Sequence, residues 1–280
     1  MKSPITALCG FAARKRNNII KLFLPIEKRV RFVTSTVVLS LLLLTATFSF
    51  YDKAWIFIPV LFVATYAFTF FSILEDIEKA EWLTLFIMPL GLSIVFYMFY
   101  YLIPVRWLTR VPFIAMYAIS IYAILLTSNI FNVGVEKSIR LYKAAFSVNY
   151  FYHTILSFIA FSILFTLREN ALFNALIAAV IIFPLAVQLL WTIKLQSTFE
   201  RDMWAYAAFI ALIIGQFTLV ISFVPFKPSI AALLLTSGYY TVAGLTTAHI
   251  DGRLFKNTIR EYLIVLVFVV IVSLMTLSGW

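Results

Sequence analysis

An all-α, polytopic transmembrane bundle of about nine helices, N-terminus cytoplasmic and C-terminus outside, is the fold class this sequence predicts. Three observations predict it. Hydrophobic residues make up 63% of the 280 residues and charged residues only 12%, against roughly 45–50% and about 25% in soluble domains. The apolar residues are gathered into nine continuous runs, most of them close to the roughly 20 residues a helix needs to cross the hydrocarbon. Apart from Arg110, the Lys and Arg residues fall outside those runs, and 17 of the 22 lie on one side of the alternating path. A soluble chain of this length would still need a charged surface, so lipid must be the solvent for most of it.

The first run, Phe32–Phe50, follows a basic arm and is rich in Val, Leu and small hydroxyl residues. The second, Ala54–Leu74, and the third, Trp82–Ile103, are separated by a short acidic segment and carry most of their bulk as Phe, Leu and Ile. The fourth, Trp107–Phe131, opens after Ile103-Pro104 and carries Arg110 close to its start, where a long side chain can reach the headgroups. The fifth, Ala145–Leu167, and sixth, Ala171–Trp191, are joined by Arg168-Glu169-Asn170, and Pro184 should kink the sixth. The seventh, Met203–Phe223, the eighth, Ser229–Ala248, and the ninth, Tyr262–Trp280, complete the set. Continuous runs exclude a transmembrane barrel, which needs alternating segments of about ten residues, and an open sheet edge has no place in lipid.

With the N-terminus inside, only Lys53, Arg106, Arg110, Arg168 and Lys227 of the 22 basic residues fall on the outer side, as the positive-inside rule requires. All six tryptophans, Trp55, Trp82, Trp107, Trp191, Trp204 and Trp280, fall at span ends, where indole favours the headgroup level. The net charge of +10 is therefore read as topology and contact with anionic lipid at the cytoplasmic face, not as nucleic-acid binding. The expected location is the cell (inner or cytoplasmic) membrane. Residues 1–30 form a basic cytoplasmic arm, with Ile19, Ile20, Leu22, Phe23 and Leu24 beside Arg14–Arg16 and Lys21 suited to a helix lying in the interface. Residues 31–280 form a single transmembrane domain. The N-terminus does not read as a cleaved signal, because Arg14-Lys15-Arg16 interrupts the apolar stretch. Cys9 is the single cysteine, which excludes an intrachain disulfide.

Polar residues within the spans are the default functional candidates, because burying them costs free energy. No Asp or Glu lies inside any of the nine runs, which argues against a proton- or ion-coupled pump. The remaining polar groups are neutral. Asn149, His153 and Ser157 recur at spacings of four and share one helix face. Gln188, Gln216 and Tyr240 lie on neighbouring spans, the last in a stripe with Thr236, Gly244 and Thr247. Asn149, His153, Gln188, Gln216 and Tyr240 are therefore the candidate binding residues of a polar path open to the cytoplasm. The competing interpretation is interhelical hydrogen bonding, which membrane bundles use routinely.

Outside the spans, Arg253, Lys256 and Arg260 are expected on one face of an interfacial helix, a docking surface for lipid or a protein partner. Glu75, Asp76, Glu78 and Glu81 read as a solvated helix end, with Mg²⁺ binding by a lipid-modifying enzyme as the minor alternative. His249 with Asp251, Glu200 and Asp202 lacks any recognisable metal-ligand spacing. No catalytic residue, metal or cofactor is implied, and motifs for nucleophilic triads and phosphate loops are absent.

The runs Leu125-Leu126-Thr127-Ser128-Asn129-Ile130-Phe131-Asn132-Val133, Gly252-Arg253-Leu254-Phe255 and Arg260-Glu261-Tyr262-Leu263 resemble an uncharacterised family of multispanning bacterial membrane proteins of unknown function. The resemblance would cover helices three to nine and implies no activity. The sequence thus points to a non-enzymatic multi-pass membrane protein that transports or holds a neutral or lipid-like molecule. A membrane scaffold or assembly factor and a lipid-modifying enzyme are the rivals.

Overall fold

The structure, a computed structural model, describes residues 26–48, 54–74, 81–103, 106–133, 139–195 and 200–277. Residues 1–25 of the basic arm, with Cys9, and Glu75, Asp76, Glu78 and Trp280 lie outside the described residues. The described residues form nine α-helices, each long and apolar enough to cross a membrane. They are α1 (Lys28–Ala46), α2 (Ala54–Ile73), α3 (Glu81–Tyr100), α4 (Trp107–Val133), α5 (Ile139–Thr166), α6 (Ala171–Lys194), α7 (Arg201–Ser222), α8 (Pro228–Ile250) and α9 (Lys256–Leu277). Nine such helices mark a multi-pass membrane protein.

The helices differ from the apolar runs mainly at one end of the bundle. There α5 begins at Ile139 and not Ala145, α6 continues to Lys194 past Trp191, and α9 begins at Lys256 and not Tyr262. Hydropathy stops counting at the first charged residues, whereas backbone hydrogen bonding continues through them. Lys and Arg can keep their heads in water from a helical position. The expected interfacial helix before the ninth span is thus the first turns of α9 itself. Trp191 also departs from expectation: it is 2% exposed and packs with Ile73, Leu85, Phe86, Phe131 and Ala145, while Trp55 and Trp107 are exposed as belt residues should be.

The order of packing follows from small residues and proline. Helices α1 to α4 pack on one another, α5 to α8 likewise, and α3 and α4 join the halves, α3 through contacts with α5 and α6 and α4 through contacts with α5. A buried stripe on α1, Phe32, Ser35, Leu39, Leu43 and Ala46 among others, repeats every three to four residues. Ser35 donates to the Phe68 carbonyl on α2 at 3.2 Å, and Ser72 of α2 donates to Ser35 Oγ at 2.8 Å. The α6–α7 pair is the closest: a Cβ at Gly215 would stand 3.2 Å from the Ala175 carbonyl oxygen and 3.3 Å from the Ala179 Cβ. Helices α5 and α8 are the most enclosed. Helix α9 leans on α8, and only Ser273 along it is buried.

Pro89 sits inside α3 and has no N–H to give to the Leu85 carbonyl one turn earlier. Ser128 of α4 supplies the missing donor, its hydroxyl 3.3 Å from Leu85 O. An unpaired carbonyl in a buried, lipid-surrounded position costs on the order of 1–3 kcal/mol, so this contact fixes the register of α4 against α3. Ser128→Ala is expected to destabilise the protein by about 1 kcal/mol in reversible unfolding from detergent micelles. In a Pro89→Ala background, where residue 89 regains its N–H, the same change should be close to neutral. Equal losses in both backgrounds would disprove the assignment.

Candidate functional site

The candidate polar residues divide into a closed internal group and a set that borders a cavity. Asn149 and His153 are one turn apart on α5, Gln188 is on α6, and Tyr239 is on α8. All four are at most 2% exposed. Gln188 Oε1 accepts from His153 Nε2 at 2.6 Å and from Asn149 Nδ2 at 3.2 Å. Gln188 Nε2 returns a bond to Asn149 Oδ1 at 3.5 Å. With its proton on Nε2, His153 presents an acceptor Nδ1 to the Tyr239 hydroxyl at 3.1 Å. The chain of bonds therefore runs Tyr239 to His153 to Gln188, with Asn149 and Gln188 paired reciprocally. Every member has a partner, and none carries a charge in this arrangement.

Two candidates stand elsewhere. Gln216 is exposed on the outer face of α7. Its neighbour Gly215 is pressed against α6, and one residue further turns the side chain by about 100°. Tyr240 is half-buried and belongs to a separate aromatic group with Tyr150 and Tyr262, its ring centroid 5.2 Å from each. Tyr150 donates to the Tyr240 carbonyl at 2.6 Å. This group needs Gly244: a Cβ there would collide with the Tyr262 ring and stand 2.6 Å from the Tyr150 hydroxyl.

A cavity of about 430 Å³ lies one turn from the internal group, between the ends of α5, α6, α8 and α9. Its apolar wall is Tyr142, Phe146, Ile193, Ala248 and Tyr262, and Gly244 is at the aromatic group. Its polar wall is Lys143, Ser147, Thr247, Asp251, Arg253 and Thr258. Tyr142 donates to the carbonyls of Thr192 and Ile193 in the last turn of α6, which have no partner within their own helix. Gly252 takes a φ of +69° to turn the chain from α8 towards α9, and Arg253 in that turn pairs with Asp251 at 3.1 Å.

That turn changes the expected basic face. Arg253 borders the cavity, whereas Lys256 and Arg260 lie on the far side of α9 beside a separate groove. The three do not share one helical face, because Arg253 precedes the helix. A second, smaller cavity of about 290 Å³ brings together Glu200, Asp202 and His249 with Trp191, Lys194 and Tyr206. Glu200 pairs with Lys194 at 2.9 Å, and among the described residues no group of three His, Cys, Asp or Glu side chains could hold a metal ion. Glu81, expected to be solvated, is 9% exposed in the first turn of α3. Arg110 lies under aromatic rings, its guanidinium carbon 4.4 Å from the Phe48 centroid and 5.5 Å from that of Trp107. Its Nε donates to the Tyr100 hydroxyl at 2.6 Å.

Tyr239, Tyr142, Tyr150 and Tyr262 were not legible as site residues. Tyr239 sits in the stripe Ala232, Leu235, Tyr239 and Ala243, all buried, so helical spacing of small and large apolar residues was the available signal. The chain matches the family described as "Protein of unknown function (DUF5656)" over residues 43–276. No curated protein matches it, and no solved structure matches it.

The internal group predicts a strongly asymmetric mutational response. Gln188→Leu leaves the Asn149 amide and the His153 N–H without an acceptor and should cost about 2 kcal/mol in micelle unfolding. Adding Asn149→Leu should recover part of that loss, because fewer buried polar groups are then unpaired. A neutral Gln188→Leu would mean that water reaches these side chains.

Proposed function

The chain belongs to the DUF5656 family, and we propose that it is a multi-pass membrane protein that holds a lipid-like amphiphile at one end of its helix bundle. The carrying observation is the cavity of about 430 Å³ with aromatic and hydroxyl-rich polar walls. Its size falls in the range of small-molecule sites, about 300–1,000 Å³. Lys143 and Arg253 offer cationic groups to a head with anionic or strongly polar oxygens, Asp251 balances Arg253, and Tyr142, Phe146 and Tyr262 offer faces for an apolar body. With the basic ends of the helices placed inside by the positive-inside rule, the mouth faces the cytoplasm.

Holding is favoured over transport by the internal group. Asn149, His153, Gln188 and Tyr239 are buried and bonded to one another, so a solute path through them would require separating α5, α6 and α8. The scaffold alternative rests on two docking surfaces: the Arg253–Arg260 face, which is divided because Arg253 stands apart from Lys256 and Arg260, and the basic N-terminal arm, most of which lies outside the described residues. The enzyme alternative rested on four acidic residues, of which the described one, Glu81, is buried.

Purification in mild detergent followed by native mass spectrometry tests the proposal. The wild type should carry a discrete lipid-like adduct, and Ser147→Trp, which fills the cavity, should abolish it. Arg253→Ala should lower occupancy about tenfold, the loss of one charge-assisted contact. An adduct indifferent to both substitutions would contradict the assignment.

A further inference from the structure

A groove lies outside the bundle, on the face of α9 that no other described helix covers. Tyr262, Val269, Val270 and Ser273 turn towards the bundle. On the opposite side Lys256, Arg260, Leu263, Ile264, Val267 and Ile271 follow one another at helical spacing and line a groove of about 490 Å³. Both cations are exposed. Set four residues apart, they are stacked on one face, and neither is in an ion pair among the described residues. From Leu263 to Ile271 the apolar part runs about 12 Å at 1.5 Å per residue. One leaflet of hydrocarbon is about 15 Å, half of the bilayer core.

We propose that this groove binds an anionic phospholipid, its phosphate between Lys256 and Arg260 and an acyl chain along Leu263, Ile264, Val267 and Ile271. Two features select this occupant. The groove is cationic at one end only, where a headgroup sits, and apolar for the rest. Its apolar part fits within one leaflet, as a single acyl chain does. The site is independent of the α5–α8 cavity, which lies on the other side of α9 and uses Lys143 and Arg253.

The test uses the full chain in nanodiscs of equal phosphatidylglycerol and phosphatidylcholine, with retained lipid counted by native mass spectrometry after gentle extraction. Two basic residues near a membrane surface contribute about 1 kcal/mol each, so wild type should favour phosphatidylglycerol by roughly 30-fold. Lys256→Ala/Arg260→Ala should abolish that preference, and Lys256→Arg/Arg260→Lys should keep most of it. Measured in a Ser147→Trp background, in which the cavity is filled, the preference reports this groove alone, and Arg140→Ala/Arg201→Ala, which removes two exposed cations outside both sites, should leave it intact. Unchanged preference in Lys256→Ala/Arg260→Ala would overturn the proposal. So would efficient disulfide dimers of Phe268→Cys in a Cys9→Ser background, which would put a second copy in the groove.

Discussion

The hydrogen-bonded group of Asn149, His153, Gln188 and Tyr239 is the constraint around which the second half of the bundle is arranged. Lipid offers no substitute partner to a buried amide or imidazole. Each of these side chains must therefore find its partner on a neighbouring helix, and the partners dictate how those helices face. The 2.6 Å contact between His153 and Gln188 sets α5 against α6, and the 3.1 Å contact between His153 and Tyr239 sets α5 against α8. Apolar packing alone holds helices together without choosing a rotation; in membranes it does so weakly, because lipid tails compete for the same surface.

Once α5, α6 and α8 are oriented, the rest follows. The same rotation of α8 that brings Tyr239 to His153 places Tyr240 against Tyr150 and Tyr262 and Gly244 beside them. Tyr142, two turns before Tyr150 on α5, reaches the end of α6. The cavity lies among the ends of these three helices and the start of α9, beside the turn at Gly252. The proposed site at the rim and the order in the interior are thus two consequences of one arrangement. The polar groups inside serve to aim the helices, and the polar groups at the rim stay available to a ligand. The first half shows the same economy with different means: Ser128 supplies the donor that Pro89 lacks, and Ser35 and Ser72 join α1 to α2.

Much of this was legible in the sequence, for reasons that are specific to membranes. Apolar runs of about 20 residues have few alternatives, so the existence and order of all nine helices could be read directly. Asn149 and His153 could be placed on a common face because a spacing of four is one helical turn. Gln188 joined them because few polar residues lie within the neighbouring spans. Rotation about each helix axis was not legible. Tyr239 and Tyr240 are adjacent and similar, and only the packing of α8 decides which one meets His153. Gln216 was expected inside, yet the close contact of Gly215 with α6 turns it outwards. Helix ends were misplaced wherever Lys or Arg continued a helix beyond the apolar run, as at Lys194 and Lys256. The chain reversal at Gly252, which parts Arg253 from Lys256 and Arg260, depends on one glycine that a helical pattern would pass over.

The central claim is that the polar interior is closed while the cavity at the helix ends is open. Thiol accessibility tests it directly. In a Cys9→Ser background, cysteine replaces Ser157, which is fully buried on α5, or Ser147, which lines the cavity. Both substitutions are nearly isosteric. A water-soluble maleimide applied to both faces of reconstituted protein should label Ser147→Cys and leave Ser157→Cys unmodified. Rapid labelling of Ser157→Cys would show that water enters the interior and would contradict the account.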